Sequence, residues 1–169
     1  MKNSIHNIPE VIKLIIIYSL INIGIIYYIF TYLKNDINVF IFISSIILLF
    51  YFVFIILPVI ILYNNYTSKT KNIFLVLKDD SLIINDKTIY INDIKNITIN
   101  GTYQHFKGLG SGGVSTLPYN DSFFFLQIYV DNQVYYISSL LSYDLDIILM
   151  KKYPNINYDK KINSFPLIK

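Results

Sequence analysis

The most conspicuous chemistry-bearing stretch is the glycine-rich segment 107–113, KGLGSGG. Its backbone amides and its lysine could bind an anionic lipid headgroup. A phosphate-binding P-loop ends in Gly-Lys-Ser/Thr and opens a helix, whereas here Val-Ser-Thr-Leu-Pro follows and the next predicted element is a strand. We therefore predict a long hairpin loop whose candidate contacts for a partner or a headgroup are Lys107, Gly108, Gly110, Gly112 and Gly113.

The other titratable residues do not form a catalytic or metal-binding pattern. His6 and His105 lie far apart in the sequence, and a metal site needs three or four converging ligands. The aspartates at 79 and 80 fall in a predicted turn, and those at 144 and 146 near a predicted helix N-terminus, so turn formation and the helix dipole account for both pairs. No serine stands in a Gly-x-Ser-x-Gly pattern, and cysteine is absent. The sequence predicts no catalytic residue, no cofactor and no metal site.

Two long apolar segments, 11–33 and 37–63, must position everything that follows. Only Lys34-Asn35-Asp36 separates them, and about 20 apolar residues suffice to cross a bilayer. We predict a transmembrane helical hairpin. Because the connection is so short, the helices should be antiparallel, with residue x beside roughly residue 70 − x. Small residues should then form the contact between the helices: Ser19, Asn22, Gly24, Ser44 and Ser45.

The lysines near the ends of the hairpin predict its orientation. Lys34 stands alone beside Asp36 on the side of the turn, whereas Lys2, Lys13, Lys69 and Lys71 lie on the other side. Positive residues concentrate on the cytoplasmic side of a membrane. We expect a multi-pass membrane protein with residues 1–10 and the C-terminus in the cytoplasm.

Beyond a predicted polar linker at 64–72, the hydrophobic period changes to that of β-strands. We expect Ile94, Ile97 and Ile99 in the core of a domain spanning 73–154, and a loose tail at 155–169. Core packing is the favoured explanation of Phe124, Tyr129 and Tyr136; the alternative is that Phe124, with Tyr129 or Tyr136, forms an exposed aromatic patch. The predicted elements are strands at 73–78, 81–85, 88–91, 94–100, 123–130 and 133–138, followed by a helix at 142–153.

The order of these elements resembles that of the bacterial pleckstrin homology-like (PH-like) domain. The resemblance covers roughly residues 9–155 and includes Ile-x-Asp-Ile-x-x-Ile at 91–97 and the hairpin turn at Asp131-Asn132. It implies a transmembrane hairpin followed by an antiparallel β-sandwich or barrel capped by a C-terminal helix, with no common enzymatic activity. Some PH domains bind phosphoinositides through a basic first loop. Here two aspartates follow Lys78, so the resemblance does not imply that activity, and the glycine-rich insertion at 101–122 is a departure from the family.

Composition narrows the possible partners. The chain is 54% hydrophobic and carries a net charge of only +3, which does not favour nucleic-acid binding. The expected partners are the lipid bilayer and a membrane or cytoplasmic protein, or a second copy of the chain. We expect a non-enzymatic, membrane-anchored PH-like module that binds a protein partner or the membrane surface. The alternatives are an immunity-type protein against a membrane-active toxin and an accessory subunit of a small transporter or channel; the charge-free spans argue against the last.

Overall fold

The structure, a computed structural model, describes residues 8–70, 73–107 and 122–169. Helix α1, Ile8–Leu33, is followed by a short turn in which the Asp36 carboxylate accepts a hydrogen bond from the Val39 amide. The second helix comprises α2, Ile37–Tyr51, a π-helical turn, Phe52–Ile56, and α3, Leu57–Lys69. Both helices are long and apolar enough to span a membrane, and the most apolar stretch of α1 contains no buried residue.

Contacts between the two helices follow the predicted register. The hydroxyl groups of Ser19 and Tyr51 are 2.6 Å apart, and the rings of Phe30 and Phe40 are 5.2 Å apart. The residue numbers of each pair add to 70, as expected for a hairpin folded about Asn35. The Tyr51 hydroxyl also lies 3.3 Å from the Ile15 carbonyl. Hydroxyl and aromatic groups therefore fasten the hairpin.

The predicted contact through small residues is wrong at Gly24 and Ser45. Both residues are exposed, and a Cβ atom added at Gly24 would have no neighbour within 4 Å. Ser44 and Ser19, which belong to the same predicted contact, do lie at it: Ser44 is buried, and Ser19 meets Tyr51. The pairing register was right, but neighbouring positions on a helix differ by about 100° in direction, so the register alone did not decide which residue faces the partner helix.

A π-helical turn carries the second helix past Pro58. Proline has no N–H to donate to the carbonyl four residues earlier, and its ring crowds that carbonyl. Here the Leu57 amide bonds to the Phe52 carbonyl, five residues back, which gives a wider turn directly before the proline. Such single turns of π-helix occur inside α-helices. Pro58 lies in the first turn of α3, and the helix continues through it without interruption.

The predicted linker at 64–72 is wrong over residues 64–69, because α3 remains helical to Lys69; residues 71 and 72 of that prediction lie outside the described ranges. Val59, Leu62 and Tyr66 recur at helical spacing and are all buried. Asn64, Ser68 and Lys69 are exposed, so the composition of the segment resembles that of a linker although one side of the helix is packed. Residues after 62 lie beyond the start of α1 in the register, so α3 projects past α1 and into the following domain.

The domain contains two sheets that share one core. Strands β1 Leu75–Leu77, β2 Ser81–Ile84 and β3 Lys87–Tyr90 form an antiparallel sheet in that order. Strands β4 Ile94–Gly101, β5 Phe125–Val130 and β6 Gln133–Ser138 form the antiparallel part of the second sheet. The core joins both sheets to helix α5, Leu145–Lys152. Ile94, Ile97 and Ile99 are buried in it, as predicted.

Turns and helix ends follow local chemistry. Asn85 and Asp131, at the two tight turns, have φ angles of 56° and 49°, a left-handed conformation that Asn and Asp tolerate better than most residues. Helix α5 is shorter than the predicted 142–153, since Asp144 rather than Ser142 occupies its N-cap position.

The predicted loose tail at 155–169 is wrong. Residues Tyr158–Ile162 form strand β7, which pairs in parallel with β4 and gives the second sheet the order β6-β5-β4-β7. The strand lies at the edge of the sheet and four of its five side chains are exposed. Its polar sequence therefore lacks the alternation that marks a half-buried strand. This parallel pair also departs from the all-antiparallel arrangement expected for the domain.

Tyr153 ties the end of α5 to the first hairpin of the domain. Its hydroxyl donates to the carbonyls of Lys78 and, at 3.2 Å, Ser81. Burial, followed by the negative charges of Asp79 and Asp80, raises the pKa of Tyr153 to about 12.

This shift predicts a loss of stability at high pH. The unfolded chain releases the Tyr153 proton near the ordinary pKa of 10, so above that pH it binds fewer protons than the folded chain. The free energy of unfolding should therefore fall between pH 10 and about 12, and Tyr153→Phe should flatten the decline in denaturant titrations in detergent. Part of the decline should remain, because burial also raises the pKa of Tyr158 to about 12. Tyr90→Phe, at an exposed position, is the control; an unaltered slope in Tyr153→Phe would contradict the prediction.

Candidate functional site

Of the predicted glycine-rich contacts, only Lys107 lies among the described residues. It ends the short helix α4, Tyr103–Lys107, and its side chain is exposed. Gly108, Gly110, Gly112 and Gly113 lie outside the described ranges. The contact of this segment with a partner or headgroup therefore stays a prediction.

The structure brings together His105 and Asp146, two residues that the sequence did not connect. His105 Nε2 lies 3.0 Å from Asp146 Oδ2, and each side chain is only 9% exposed. His105 comes from α4 and Asp146 from the first turn of α5, where the positive end of the helix dipole favours a carboxylate. The pair fastens α4 and the end of β4 to the helix that closes the core.

Packing fixes the imidazole of this pair. The ring of His105 stacks on Phe124, with 4.3 Å between centroids and 23° between planes. Gly101 packs against the His105 imidazole, and a Cβ atom at position 101 would lie 2.8 Å from His105 Cδ2. Any larger residue at 101 would displace the ring from Phe124 or from Asp146. Oδ1 of Asp146 is buried and has no hydrogen-bond partner among the residues that the structure describes.

Chemically, a carboxylate that holds an imidazole could orient a general base. Base catalysis by such a pair would also require a nucleophile or substrate within reach of the imidazole. The described residues contain no group of three His, Cys, Asp or Glu side chains that could hold a metal ion. The geometry supports a buried structural pair. No local signal could have revealed it, because 41 residues separate its members.

Asp146→Asn should lower the free energy of unfolding by about 1–2 kcal/mol, because a hydrogen bond to a charged group becomes one between neutral groups in a buried setting. Asp144→Asn is the matched control, since this exposed aspartate precedes the same helix, and we expect a loss below about 0.5 kcal/mol. Denaturant unfolding in detergent measures both. A double-mutant cycle with His105→Gln should give a coupling energy of the same size as the Asp146→Asn loss. Equal effects of the two asparagine variants would contradict the pairing.

The second notable region is the junction between the hairpin and the domain. Consecutive phenylalanines at the start of β5 divide between two cores: Phe124 enters the domain core, whereas Phe123 and Phe125 pack against α3. The ring of Tyr66 is roughly perpendicular to the rings of Phe123 and Phe125, at centroid distances of 5.5 Å and 6.2 Å. All three phenylalanines are at most 4% exposed.

Core packing, the favoured interpretation of these aromatic residues, is therefore confirmed for Phe124, and the alternative of an exposed patch around it is wrong. Phe124 is fully buried, and Tyr129 and Tyr136 are partly buried. Side chains do alternate between the two faces of β5, as expected for a strand. The outward face is covered because α3 extends over it, which the sequence did not predict.

A short C-terminal segment, residues 165–168, fastens the junction; we call it the C-terminal clasp. The Asn65 side chain donates to the Ile168 carbonyl at 3.0 Å and accepts from the Ile168 amide at 2.9 Å. The buried Tyr66 hydroxyl donates to the Pro166 carbonyl at 2.8 Å. Ile168 is 3% exposed and belongs to the same apolar cluster as Tyr66 and Phe123. The clasp thus joins the helix and the domain by both polar and apolar contacts.

Beside the clasp lies a cavity of about 400 Å³, which we call the junction cavity. Val11 and Ile15 of α1 form one wall and Val59 of α3 forms another. Phe123 and Leu140 close it from the domain side. Its walls are almost wholly apolar, so it suits a hydrocarbon group and not a charged ligand.

Comparisons with known proteins do not assign the chain to a family. No family model matches the chain, and neither a curated protein nor a solved structure matches it. The functional argument therefore rests on the junction and on the surfaces that it leaves exposed.

Tyr66→Phe should weaken the clasp, because it leaves the buried Pro166 carbonyl without its donor. We expect a loss of about 1–3 kcal/mol in the free energy of unfolding, the usual penalty for an unpaired buried polar group. Hydrogen exchange measured by mass spectrometry should also rise in residues 165–168. Tyr63→Phe, on the preceding turn of the same helix and only partly buried, should change neither quantity. Equal exchange in wild type and Tyr66→Phe would contradict this role.

Proposed function

We propose that the chain is a non-enzymatic, membrane-anchored module that holds a β domain in a fixed orientation at the bilayer surface. There the domain binds a protein partner or the membrane surface itself. The observation that carries this proposal is the junction, in which α3 enters the domain and the clasp closes over it. A flexible tether would let the domain search the cytoplasm, whereas this attachment keeps its surfaces at set distances from the lipid.

The same proposal assigns the domain to the PH-like class. Two antiparallel three-stranded units, β1-β2-β3 and β4-β5-β6, precede helix α5. This order supports the resemblance. Strand β7, which follows the helix and pairs in parallel with β4, is an addition to that plan. Asp79 and Asp80 at the first turn are exposed, which favours a protein or a neutral lipid surface over a phosphoinositide as ligand.

We place the hairpin in a bacterial inner membrane with both termini in the cytoplasm. The excess of lysines on the side of the domain supports this orientation. The domain surface offers several exposed apolar side chains away from the junction, among them Tyr90 on β3 and Ile147 on α5, which are 55% and 57% exposed. They are natural contact points for a partner.

Photo-crosslinking in intact cells tests the proposal. A photoreactive amino acid replaces Tyr90 or Ile147 in the full chain, and products are purified in mild detergent and identified by mass spectrometry. We expect one position to give a discrete protein or lipid product. Asn65→Leu combined with Tyr66→Phe, which breaks the clasp, should lower the yield severalfold because orientation is lost. Reporter fusions at Asn35 and Lys169 should lie on opposite sides of the membrane.

Two results would contradict the proposal. One is the absence of any protein or lipid product at either position. The other is a yield that stays the same after the clasp is broken, since the attachment would then have no bearing on binding.

A further inference from the structure

The junction cavity is an apolar space at the boundary between the candidate membrane spans and the domain. We propose that one acyl chain of a bilayer phospholipid occupies it. This inference rests on the hairpin lying in a bilayer, and it is independent of whether the domain binds a protein partner.

The position of the cavity points to lipid as the source of its occupant. Val11 begins the first candidate span, and Val59 and Ile60 lie within the second. Ile12 and Ile60 line the cavity, although their side chains are 46% and 43% exposed. The cavity is therefore open along the same helix surfaces that face hydrocarbon in a membrane, and a lipid chain can enter it sideways from the bilayer.

The chemistry of the walls agrees with this occupant. Water does not fill an apolar cavity well, because it finds no hydrogen-bond partners there. The few polar lining groups belong to Tyr63, Asn64 and Ser122. Asn64 is exposed and lies one turn beyond Ile60, further from the bilayer centre. A chain that enters beside Ile60 could thus keep its ester group near Asn64.

The size of the cavity also fits one chain. A volume of about 400 Å³ lies near the lower end of the range for small-molecule sites. It is too small for a helix of a second protein, whose diameter with side chains is about 10 Å. Phe123 and Leu140 form the inner wall, so a bound chain would contact the domain as well as the hairpin.

Tryptophan fluorescence can detect this contact, because the natural chain has no tryptophan. In Leu140→Trp the only indole lies on the domain wall of the cavity. The full-length variant is placed in vesicles of phosphatidylcholine with dibrominated acyl chains, which quench tryptophan on contact, and in vesicles of unbrominated lipid. We expect fluorescence to fall by about half or more in the brominated vesicles, since the chain would be buried against the indole.

Val134→Trp is the matched control for this measurement. Val134 lies at the other end of β6, roughly 13 Å along the strand from the end that leads to Leu140. Its side chain is 38% exposed and does not line the cavity. Its fluorescence should be nearly equal in the two kinds of vesicle. Equal quenching at both positions, or none at Leu140→Trp, would overturn the proposal.

Native mass spectrometry of the wild-type chain, released from phosphatidylcholine nanodiscs, provides a second test that needs no substitution in the domain. We expect one retained phospholipid per chain. Ile60→Trp should reduce its occupancy about tenfold by filling the entrance, whereas Ile61→Trp should not. Ile61 is 41% exposed and adjacent in sequence but lies outside the cavity lining. An empty wild-type chain, a bound fatty acid, a second copy of the chain in place of lipid, or equal occupancy in the two variants would each overturn the proposal.

Discussion

The structure depends on one continuous helical rod that begins in the hairpin and ends inside the β domain. Pro58 could have broken this rod, but the π-helical turn before it lets the helix proceed. Tyr66 then lies between Phe123 and Phe125 and donates its hydroxyl hydrogen bond to the clasp. The hairpin and the domain therefore share one apolar cluster, and the residues of that cluster would be exposed on either part without the other.

This shared core limits where the domain can bind anything else. The outward face of β5 is covered by α3 and the clasp, so that face is unavailable to a soluble partner. The buried His105–Asp146 pair closes another side by holding α4 against α5. Among the described residues, Tyr90 on β3 and Ile147 on α5 remain exposed away from these covered faces. The proposed protein contacts therefore use surfaces that are distinct from the proposed lipid site at the junction.

Local patterns predicted much of this fold, and contacts between distant segments account for most of what they missed. The apolar spans, the pairing of Ser19 with Tyr51 and the buried isoleucines of β4 follow from hydrophobic periodicity and the length of one turn. Strand β7 is polar because its side chains face solvent, and only its backbone pairing with β4 defines it. Likewise, the end of α3 has the composition of a linker, because the phenylalanines that cover its packed side lie some 60 residues later in the chain. Lys107, expected in a loop, ends helix α4, and its role as a contact is still a prediction.

The uninterrupted second helix has a mechanical consequence. Transmembrane helices tilt when their apolar length exceeds the thickness of the surrounding hydrocarbon. A flexible joint would absorb such a tilt, but here the rod passes into the domain and is fastened there on both its polar and apolar sides. If the hairpin spans a bilayer as proposed, a change in bilayer thickness that tilts the second helix would therefore change the angle between the domain and the membrane.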